Sequence, residues 1–322
     1  MPLIQRSDFQ PQGWDRNTYW STIYPSLFRK VEGVIYERER LELPDGDFVD
    51  LDWSRKNSRR LVIVLHGLEG SADRPYIRGI IKVMNEADWD GVALNFRGCS
   101  GTPNRLTRGY HSGDTGDLDF LVKQVIASSR YDEIAIVGFS LGGNVTLKYL
   151  GERGAKLHPT IKKAVAISTP VDLSTCSIEL QKWKNWPYLN SFLKSLKEKI
   201  REKTAVLEGL IDLKKAYSAK NFFQYDDAVT APLHGFESAI DYYTKSSSLP
   251  YIPKIKIPTL LINAKNDSFL SEESYPIALA RESALFHLEI PDFGGHVGFV
   301  SRQLKGYYWT DLRVKKFFNQ DF

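Results

Sequence analysis

The sequence predicts an α/β protein whose central sheet is mostly parallel and carries helices on both faces. Three observations lead to this fold class. The composition is that of a globular protein, with 42% hydrophobic and 25% charged residues in a chain of 322. After residue 60, short aliphatic runs alternate with segments of helical length. The runs are apolar at successive positions, as in parallel strands that are buried on both faces.

Six of these apolar runs are the candidate strands of the parallel part of the sheet. They are residues 61–65, 92–96, 134–137, 164–167, 259–262 and 285–290. Right-handed helical crossovers between them would place helices on both sides of the sheet. Upstream, residues 34–43 and 47–53 predict an antiparallel hairpin around the turn residues Pro44, Asp45 and Gly46. We expect this hairpin at the first edge of the sheet.

Two segments do not follow the alternation. Residues 1–33 carry several aromatic side chains, and we expect them to pack as an arm on the domain formed by residues 34–322. Residues 171–250 contain no clear strand and are rich in Lys, Trp, Tyr and Phe. An unstructured loop of that length is uncommon in a compact domain. A helical cap insertion over one end of the sheet is therefore predicted, with an ordinary crossover containing a long helix pair as the alternative.

Charge and cysteine content exclude several classes of protein. The formal net charge of +4 is too small to indicate a nucleic-acid partner. The two cysteines, Cys99 and Cys176, are too few and too far apart for a disulfide scaffold or a Cys-x-x-Cys pair. No signal-peptide pattern opens the chain, and no apolar run approaches the roughly 18 residues that span a bilayer. We expect a soluble protein of the cytoplasm without a transmembrane segment.

The strongest chemical signal is the sequence Gly-Phe-Ser-Leu-Gly at residues 138–142. It lies between the candidate strand 134–137 and a helix-compatible segment, which is the context of a nucleophile elbow. A tight turn there would hold Ser140 in a strained backbone conformation with its Oγ exposed. The following helix N-terminus would offer N–H groups to a developing oxyanion. Ser140 is the candidate nucleophile, and a plain tight turn is the alternative.

A serine nucleophile needs a base, and the base needs an acid to orient it. Asp267 follows the run 259–262, and His296 lies in a glycine-flanked loop after the last run. Both would reach the same sheet edge as Ser140, because the carboxyl ends of parallel strands meet there. Asp292 and Asp172 are alternative acids, and His296 could also be an ordinary surface histidine.

The loop after the first apolar run would supply a second oxyanion donor in such a fold. We assign the two donors to the main-chain N–H groups of Leu68 and Leu141. His66 in the same loop precedes Ser140 in the sequence. We therefore predict that His66 holds the loop in shape and does not act as the base.

Four segments together resemble the α/β-hydrolase superfamily, and most of all its YheT-like branch of esterases and acyltransferases. They are HGLEGS at residues 66–71, NFRGCSG at 95–101, YHSGDT at 110–115 and GFSLGGN at 138–144. The resemblance covers residues 34–320 and implies the α/β-hydrolase fold with a catalytic triad of Ser140, Asp267 and His296. It also implies ester hydrolysis, often with a preference for short acyl chains in bacterial-type members.

Five further residues are candidate contacts for a substrate, namely Glu69, Arg97, His111, Trp183 and Trp186. Arg97 could meet an acidic group or pair with Asp114 to fix its loop, and the pairing is favoured. The two tryptophans belong to residues 182–203, a segment that contains seven basic and two acidic side chains. This basic cap segment could attract the acidic headgroups of a membrane surface. In the favoured alternative its lysines are merely solvated while the aromatic rings pack inward.

The sequence thus predicts a serine carboxylesterase that cleaves a small-molecule ester through an acyl-enzyme on Ser140 and favours short to medium acyl chains. An alcohol O-acyltransferase or a lipid esterase with the same triad is the alternative, and a non-catalytic ligand-binding protein is a third. No cofactor or metal is expected. The six histidines show no i, i+4 pair, and nucleotide-binding glycine motifs do not occur.

Overall fold

A computed structural model describes residues 2–11, 13–300 and 306–320 of the chain. Within these residues the sheet has nine strands, which are β1 (Leu3–Ile4), β2 (Glu37–Glu42), β3 (Phe48–Ser54), β4 (Arg60–Leu65), β5 (Asp90–Asn95), β6 (Glu133–Phe139), β7 (Ile161–Ile167), β8 (Thr259–Ile262) and β9 (Phe286–Glu289). Their order across the sheet is β1-β9-β8-β7-β6-β4-β5-β3-β2. The pairs β2–β3 and β3–β5 are antiparallel, and the other pairs are parallel.

The α-helices of the described residues connect and cover these strands. They are α1 (Thr18–Phe28), α2 (Pro75–Asn85), α3 (Gly116–Ala127), α4 (Leu141–Arg153), α5 (Leu173–Gln181), α6 (Trp186–Glu202), α7 (Thr204–Leu207), α8 (Leu213–Ser218), α9 (Phe222–Tyr225), α10 (Ala231–His234), α11 (Ala239–Ser246), α12 (Ile277–Glu282) and α13 (Trp309–Phe318). Helices α3, α4 and α12 contribute to the apolar core on one face of the sheet. Helices α2 and α13 contribute to the core on the other face.

The predicted fold class is confirmed. The six apolar runs correspond to β4–β9, which are buried along nearly their whole length because helices cover both faces. The hairpin is β2 and β3, and it forms one edge of the sheet beside β5. Its outer strand β2 is mostly exposed and carries five charged side chains, which suits an edge strand that must not pair with another chain.

The first 33 residues add an element that the sequence analysis did not predict. Strand β1 pairs in parallel with β9 and extends the sheet at the edge opposite the hairpin. A strand of two half-buried residues has no detectable alternation, so its pairing cannot be read from the sequence. Met1 and Gln12 of the predicted arm, and residues 301–305 and 321–322 of the predicted domain, lie outside the described residues.

A helical insertion between β7 and β8 contains α5–α11. It has an apolar cluster of its own, to which α6 contributes Leu189, Leu193 and Ile200. These side chains recur on one face of the helix, as expected for an amphipathic helix that covers a domain. We refer to residues 171–250 as the cap. The cap lies over the carboxyl ends of the parallel strands, since its side chains line the same cavity as Ser140.

Candidate active site

Ser140 lies in a sharp turn between β6 and α4. Its backbone has φ +51° and ψ −117°, a strained conformation for a residue with a side chain. The turn requires glycine on both sides. A Cβ at Gly138 would lie 2.2 Å from the carbonyl oxygen of Gly142, and one at Gly142 would lie 2.6 Å from the carbonyl oxygens of Leu65 and His66. The close approach of strand and helix therefore leaves no room for a side chain at either position, and the turn holds Ser140 at the end of the strand.

His296 bridges Ser140 and Asp267. Its Nε2 lies 2.9 Å from Ser140 Oγ, and its Nδ1 lies 2.8 Å from Asp267 Oδ2. The Asp267 side chain is fully buried and also accepts the N–H of Phe269 at 3.0 Å. Because a carboxylate only accepts, Nδ1 carries the proton and Nε2 presents its lone pair to the serine hydroxyl. This arrangement can remove a proton from Ser140.

The two alternative acids do not contact His296. Asp172 accepts the N–H of Thr175 at 3.0 Å and caps the start of α5. Asp292 is exposed at the end of the sheet. Of the three candidates, the structure brings only Asp267 to the imidazole.

The loop that carries His296 is fixed by contacts the sequence analysis missed. Thr22 Oγ1 in α1 accepts the N–H of His296 at 2.9 Å, and Asn266 Oδ1 accepts the N–H of Gly295 at 3.0 Å. A Cβ at Gly295 would lie 2.3 Å from Ser21 Oγ. The one feature of the sequence that could have indicated this contact is the pair of small polar residues Ser21 and Thr22 within an otherwise aromatic helix.

The stacking of Phe269 on His296 was also missed. The two rings are 4.2 Å apart with an interplanar angle of 27°. Phe269 follows Asp267 by two residues, so a single loop both orients the imidazole and limits its rotation.

The N–H groups of Leu68 and Leu141 have no protein acceptor among the described residues. Leu141 is the first residue of α4, where a helix leaves its N–H groups unpaired. The loop of Leu68 lies against the serine, because a Cβ at Gly67 would be 3.1 Å from Ser140 Cβ. Two free donors therefore flank the serine, as a developing oxyanion requires.

His66 is buried beneath this loop. Its Nε2 accepts the N–H of Phe96 at 3.1 Å, so the proton is on Nδ1, which donates to the carbonyl of Gly67 at 2.7 Å. Burial lowers the pKa of His66 to about 4, although the hydrogen bond to Gly67 opposes this shift. His66 is neutral at pH 7 and holds the loop that precedes Leu68.

Glu69 connects this loop to the cap. Its carboxylate lies 2.8 Å from Lys199 Nζ in α6 and accepts from Ser195 at 2.6 Å and from Tyr110 at 2.8 Å. Burial alone would raise the pKa of Glu69, but these three partners, Lys199 above all, lower it. Its carboxylate is engaged by protein groups, so the structure gives no support to Glu69 as a substrate contact.

Arg97 is a structural residue with partners other than the Asp114 expected from the sequence. It makes a bidentate pair with Asp117 at 2.8 and 2.7 Å, and it donates to Asp45 at 2.8 Å and Asp47 at 3.2 Å. Burial opposes its charge, yet Asp117 and Asp45 raise its pKa. The buried guanidinium ties the β2–β3 hairpin to α3, and Arg97 does not line the cavity at Ser140.

The expectation that Trp183 and Trp186 contact a substrate needs correction. They are 88% and 63% exposed and do not line the cavity at Ser140. The inward face of α6 presents Phe192 and Leu196 to that cavity instead. His111 does line it, close to His234 at a ring distance of 4.7 Å.

One cavity extends from Ser140 and His296 under the cap. Most of its wall is apolar or aromatic and includes Leu68, Leu141, Leu173, Leu180, Phe192, Leu196, Phe222, Tyr225 and Phe269. Asp226 interrupts this wall within a π-helical turn, Asp226–Thr230. Thr230 donates to its carboxylate at 2.6 Å and Tyr243 at 2.8 Å. Burial raises the pKa of Asp226 to about 6 despite these bonds.

A second cavity reaches Ser140 and His296 from the other side. It lies between α1 and α6 and is lined by Ile23, Leu27 and Tyr188, among others. The serine is therefore accessible from two directions. One leads into the apolar interior of the cap, and the other leads past α1.

No group of three or more His, Cys, Asp or Glu side chains in the described ranges is arranged to hold a metal ion. In the same ranges, no helix has both the length and the apolar character needed to cross a bilayer. Cys99 is half-buried and Cys176 is buried, and both are free thiols.

Comparison with known proteins gives consistent matches. A family model of the α/β hydrolase fold matches residues 60–302. YheT of Escherichia coli (strain K12), provisionally named an esterase, is 36% identical over 315 residues, 96% of this chain and 92% of that protein. Phospholipase ABHD3 of Mus musculus is 27% identical over 309 residues, 93% and 74% of the two chains. The Pyrococcus furiosus esterase Pf2001 superposes with a TM-score of 0.60 at 19% identity, over 90% and 95% of the chains, which shows the fold alone.

These matches and the fold define an enzyme of the serine ester hydrolase class. The chain belongs to the α/β-hydrolase family, and its resemblance to the YheT-like branch is confirmed by the 36% identity to YheT.

Proposed function

We propose that the enzyme hydrolyses carboxylic esters through an acyl-enzyme on Ser140. The observation that carries this proposal is the hydrogen-bonded row Asp267–His296–Ser140 at a strained elbow. The names of the relatives, esterase and phospholipase, support an ester as the substrate.

In acylation, His296 Nε2 takes the proton of Ser140 as Oγ attacks the ester carbonyl carbon. Asp267 holds the imidazole in the right tautomer and stabilises the imidazolium that forms. The N–H groups of Leu68 and Leu141 donate to the oxyanion of the tetrahedral intermediate. His296 then protonates the departing alkoxide, and the acyl group remains on Ser140.

In deacylation, a water molecule takes the place of the alcohol. His296 removes its proton while the oxygen attacks the acyl carbon, and the resulting intermediate collapses to the free acid and Ser140. The same two N–H donors serve both steps, because the oxyanion forms at the same position each time. Loops held by α1 and by the cap therefore define the geometry of both half-reactions.

Short to medium acyl chains are the proposed preference. The cavity under the cap is walled by aromatic and aliphatic side chains that favour an alkyl group. The polar carboxyl of Asp226 and the hydroxyls of Thr230 and Tyr243 interrupt the apolar wall. A long alkyl chain would have to desolvate these groups.

A cytoplasmic location is proposed as well. The free thiols of Cys99 and Cys176 suit a reducing compartment, where cysteines stay unpaired.

An alcohol O-acyltransferase is a second candidate, because the cavity past α1 offers a second route by which an alcohol could reach the acyl-enzyme. Lipid esters are the corresponding alternative for the hydrolase. Turnover of p-nitrophenyl butyrate with added ethanol separates transfer from hydrolysis. We expect butyrate as the main product, and ethyl butyrate in excess at modest ethanol concentration would establish the acyltransferase.

The proposed function is tested by initial rates on p-nitrophenyl esters from acetyl to palmitoyl. We expect hydrolysis with an optimum at short to medium chains, and a loss of about 10⁶ in turnover for Ser140→Ala. Ser177→Ala is the matched control, since Ser177 lines the same cavity but donates to the carbonyl of Ser174. An inactive wild-type enzyme, or an active Ser140→Ala variant, would reject the proposal. Failure of all the esters would favour the non-catalytic alternative.

A further inference from the structure

Helix α1 exposes large apolar side chains and buries small residues. A surface helix normally buries its apolar stripe and exposes its polar side chains. In α1 the small residues Ser21 and Pro25 are buried against the protein, whereas Trp20, Leu27 and Phe28 are 51%, 66% and 60% exposed. The helix has no charged side chain along its 11 residues. An exposed apolar stripe of this kind is typical of an interaction site.

The start of the cap helix α6 continues this surface. Tyr19 of α1 packs on Tyr188 of α6 with their rings 5.8 Å apart. Near this contact the cap exposes Trp183 and Trp186, at 88% and 63%. We call the exposed residues Trp20, Leu27, Phe28, Trp183 and Trp186 the entrance surface.

The entrance surface borders the second route to the serine. The cavity between α1 and α6 is lined by Leu27 at its outer part, by Tyr188 on the cap side, and by Ser140 and His296. A substrate held at the entrance surface therefore has a direct route to the candidate nucleophile.

Basic side chains frame the same surface. Arg16 and Lys30 flank α1 and are exposed, as are Lys184 and Lys194 on the cap. Lys184 lines a shallow depression with Tyr19 and Tyr188, and Trp186 shares a groove with Lys194. Exposed Trp and Phe rings combined with Lys and Arg match the interface of a membrane that contains anionic lipid. Glu198 and Glu202 are exposed farther along α6.

We propose that the entrance surface docks on an anionic phospholipid membrane, so that an ester substrate passes from the lipid into the cavity between α1 and α6. The docking itself needs no catalysis, whereas the delivery of a substrate rests on the proposed function. Tryptophan and phenylalanine rings would lie at the headgroup level, and the basic residues would contact acidic headgroups. The other candidate occupant is a second copy of this chain.

Vesicle sedimentation tests the docking with the full chain carrying Ser140→Ala, which cannot cleave the lipid. We expect it to sediment with phosphatidylcholine vesicles that contain 30% phosphatidylglycerol, about tenfold less with pure phosphatidylcholine, and less at high salt. Adding Trp20→Ser and Phe28→Ser should weaken binding by at least tenfold. Adding Ile240→Ser, which removes an equally exposed apolar residue from α11, should not.

The proposal fails if the protein stays in the supernatant with both kinds of vesicle, or if the Trp20→Ser/Phe28→Ser pair binds as well as its parent. It also fails if light scattering after size exclusion shows a dimer that these two substitutions dissolve, because a second copy then occupies the surface. These readouts remain valid if no ester is cleaved, so a failed docking and a failed proposed function are distinguishable.

A kinetic experiment tests the delivery step with an active enzyme. Trp20 and Phe28 line neither cavity at Ser140. We therefore expect the Trp20→Ser/Phe28→Ser variant to retain its rate on soluble p-nitrophenyl acetate and to lose about tenfold on a medium-chain ester embedded in the anionic vesicles. Equal loss on both substrates would show damage to the site and would overturn the delivery step.

Discussion

Thr22 Oγ1 in the N-terminal helix accepts a hydrogen bond from the main-chain N–H of His296 at 2.9 Å, across 274 positions of sequence. The same hydroxyl donates to the carbonyl of Thr18 at 2.7 Å, which fixes its direction. The loop of the candidate base is thus anchored on a helix that precedes the first long strand of the sheet. The N-terminal segment is part of the scaffold of the site.

Thr22→Val should lower kcat by roughly tenfold to a hundredfold with little change in KM. The substitution keeps the shape of the side chain but leaves the N–H of His296 without its acceptor, and small displacements of a catalytic group are costly. Thr22→Ser restores the hydroxyl and should restore most of kcat. Steady-state kinetics on p-nitrophenyl acetate measure both. A serine variant as slow as the valine variant would contradict this role.

Glu69→Gln should weaken stabilisation of the oxyanion. The Glu69–Lys199 ion pair holds the loop of Leu68 against the cap, and one oxyanion donor contributes about 10²–10³ in kcat where it has been removed. We expect a fall in kcat within that range and weaker binding of a trifluoromethyl ketone, which mimics the tetrahedral intermediate. Glu198→Gln, at an exposed position of α6, is the control. An unchanged kcat in Glu69→Gln would show that the ion pair to the cap does not position the oxyanion donor Leu68.

Arg97→Met should destabilise the fold by about 3–5 kcal/mol, because it leaves buried carboxylates without their counter-ion. The Arg97 side chain is 1% exposed and pairs with three aspartates. Arg59→Met is the matched control. Its partner Asp132 is as exposed as Arg59 itself, so the loss should be far smaller than for Arg97→Met. Urea unfolding measures both free energies, and equal losses would show that burial of the Arg97 cluster has no energetic consequence.

The effect of Asp226→Asn on stability should depend on pH. Asp226 has a folded-state pKa of about 6 against an ordinary 3.8, so the folded state favours its neutral form. The contribution of Asp226 to the free energy of unfolding of the wild type is greatest below pH 3.8. It decreases as the pH rises from 3.8 to 6 and is constant above pH 6. Asparagine does not titrate. The stability of Asp226→Asn relative to wild type should therefore rise between pH 4 and pH 6, by up to about 3 kcal/mol.

Urea unfolding of the two proteins at pH 4.5, 5.5 and 7 checks this dependence. A difference between the variant and the wild type that is the same at all three pH values would show that Asp226 is ionised as easily as in water.

Local sequence was sufficient to predict strands β2–β9 of the sheet, but not the short strand β1. Strands β4–β8 each contain a run of aliphatic residues, and such runs are typical of parallel strands that are buried on both faces. The order of the motifs also selected Ser140, Asp267 and His296, which the structure brings into one hydrogen-bonded row. Each lies in the turn or loop that follows a strand, so knowledge of the strands places them at one sheet edge.

Contacts between distant segments that carry no catalytic motif could not be predicted from the sequence. Arg97 was assigned to nearby Asp114, but its partners include Asp45 and Asp47, about 50 positions away. Trp183 and Trp186 were expected to contact a substrate as aromatic residues of the cap segment, but composition does not distinguish the inward from the outward side of a cap. The contact of Thr22 with His296 depends on where a whole helix packs, and no local pattern encodes that.

A fluorophosphonate probe with mass mapping tests the central claim most directly. Covalent labelling requires the serine, the base and the oxyanion donors to work together, without any assumption about the natural ester. We predict one phosphonyl group on the peptide that contains Ser140, loss of esterase activity in parallel with labelling, and greatly slowed labelling of His296→Ala. An active enzyme with unlabelled Ser140 after exposure to the probe, or a label on another residue that accounts for the lost activity, would contradict the account.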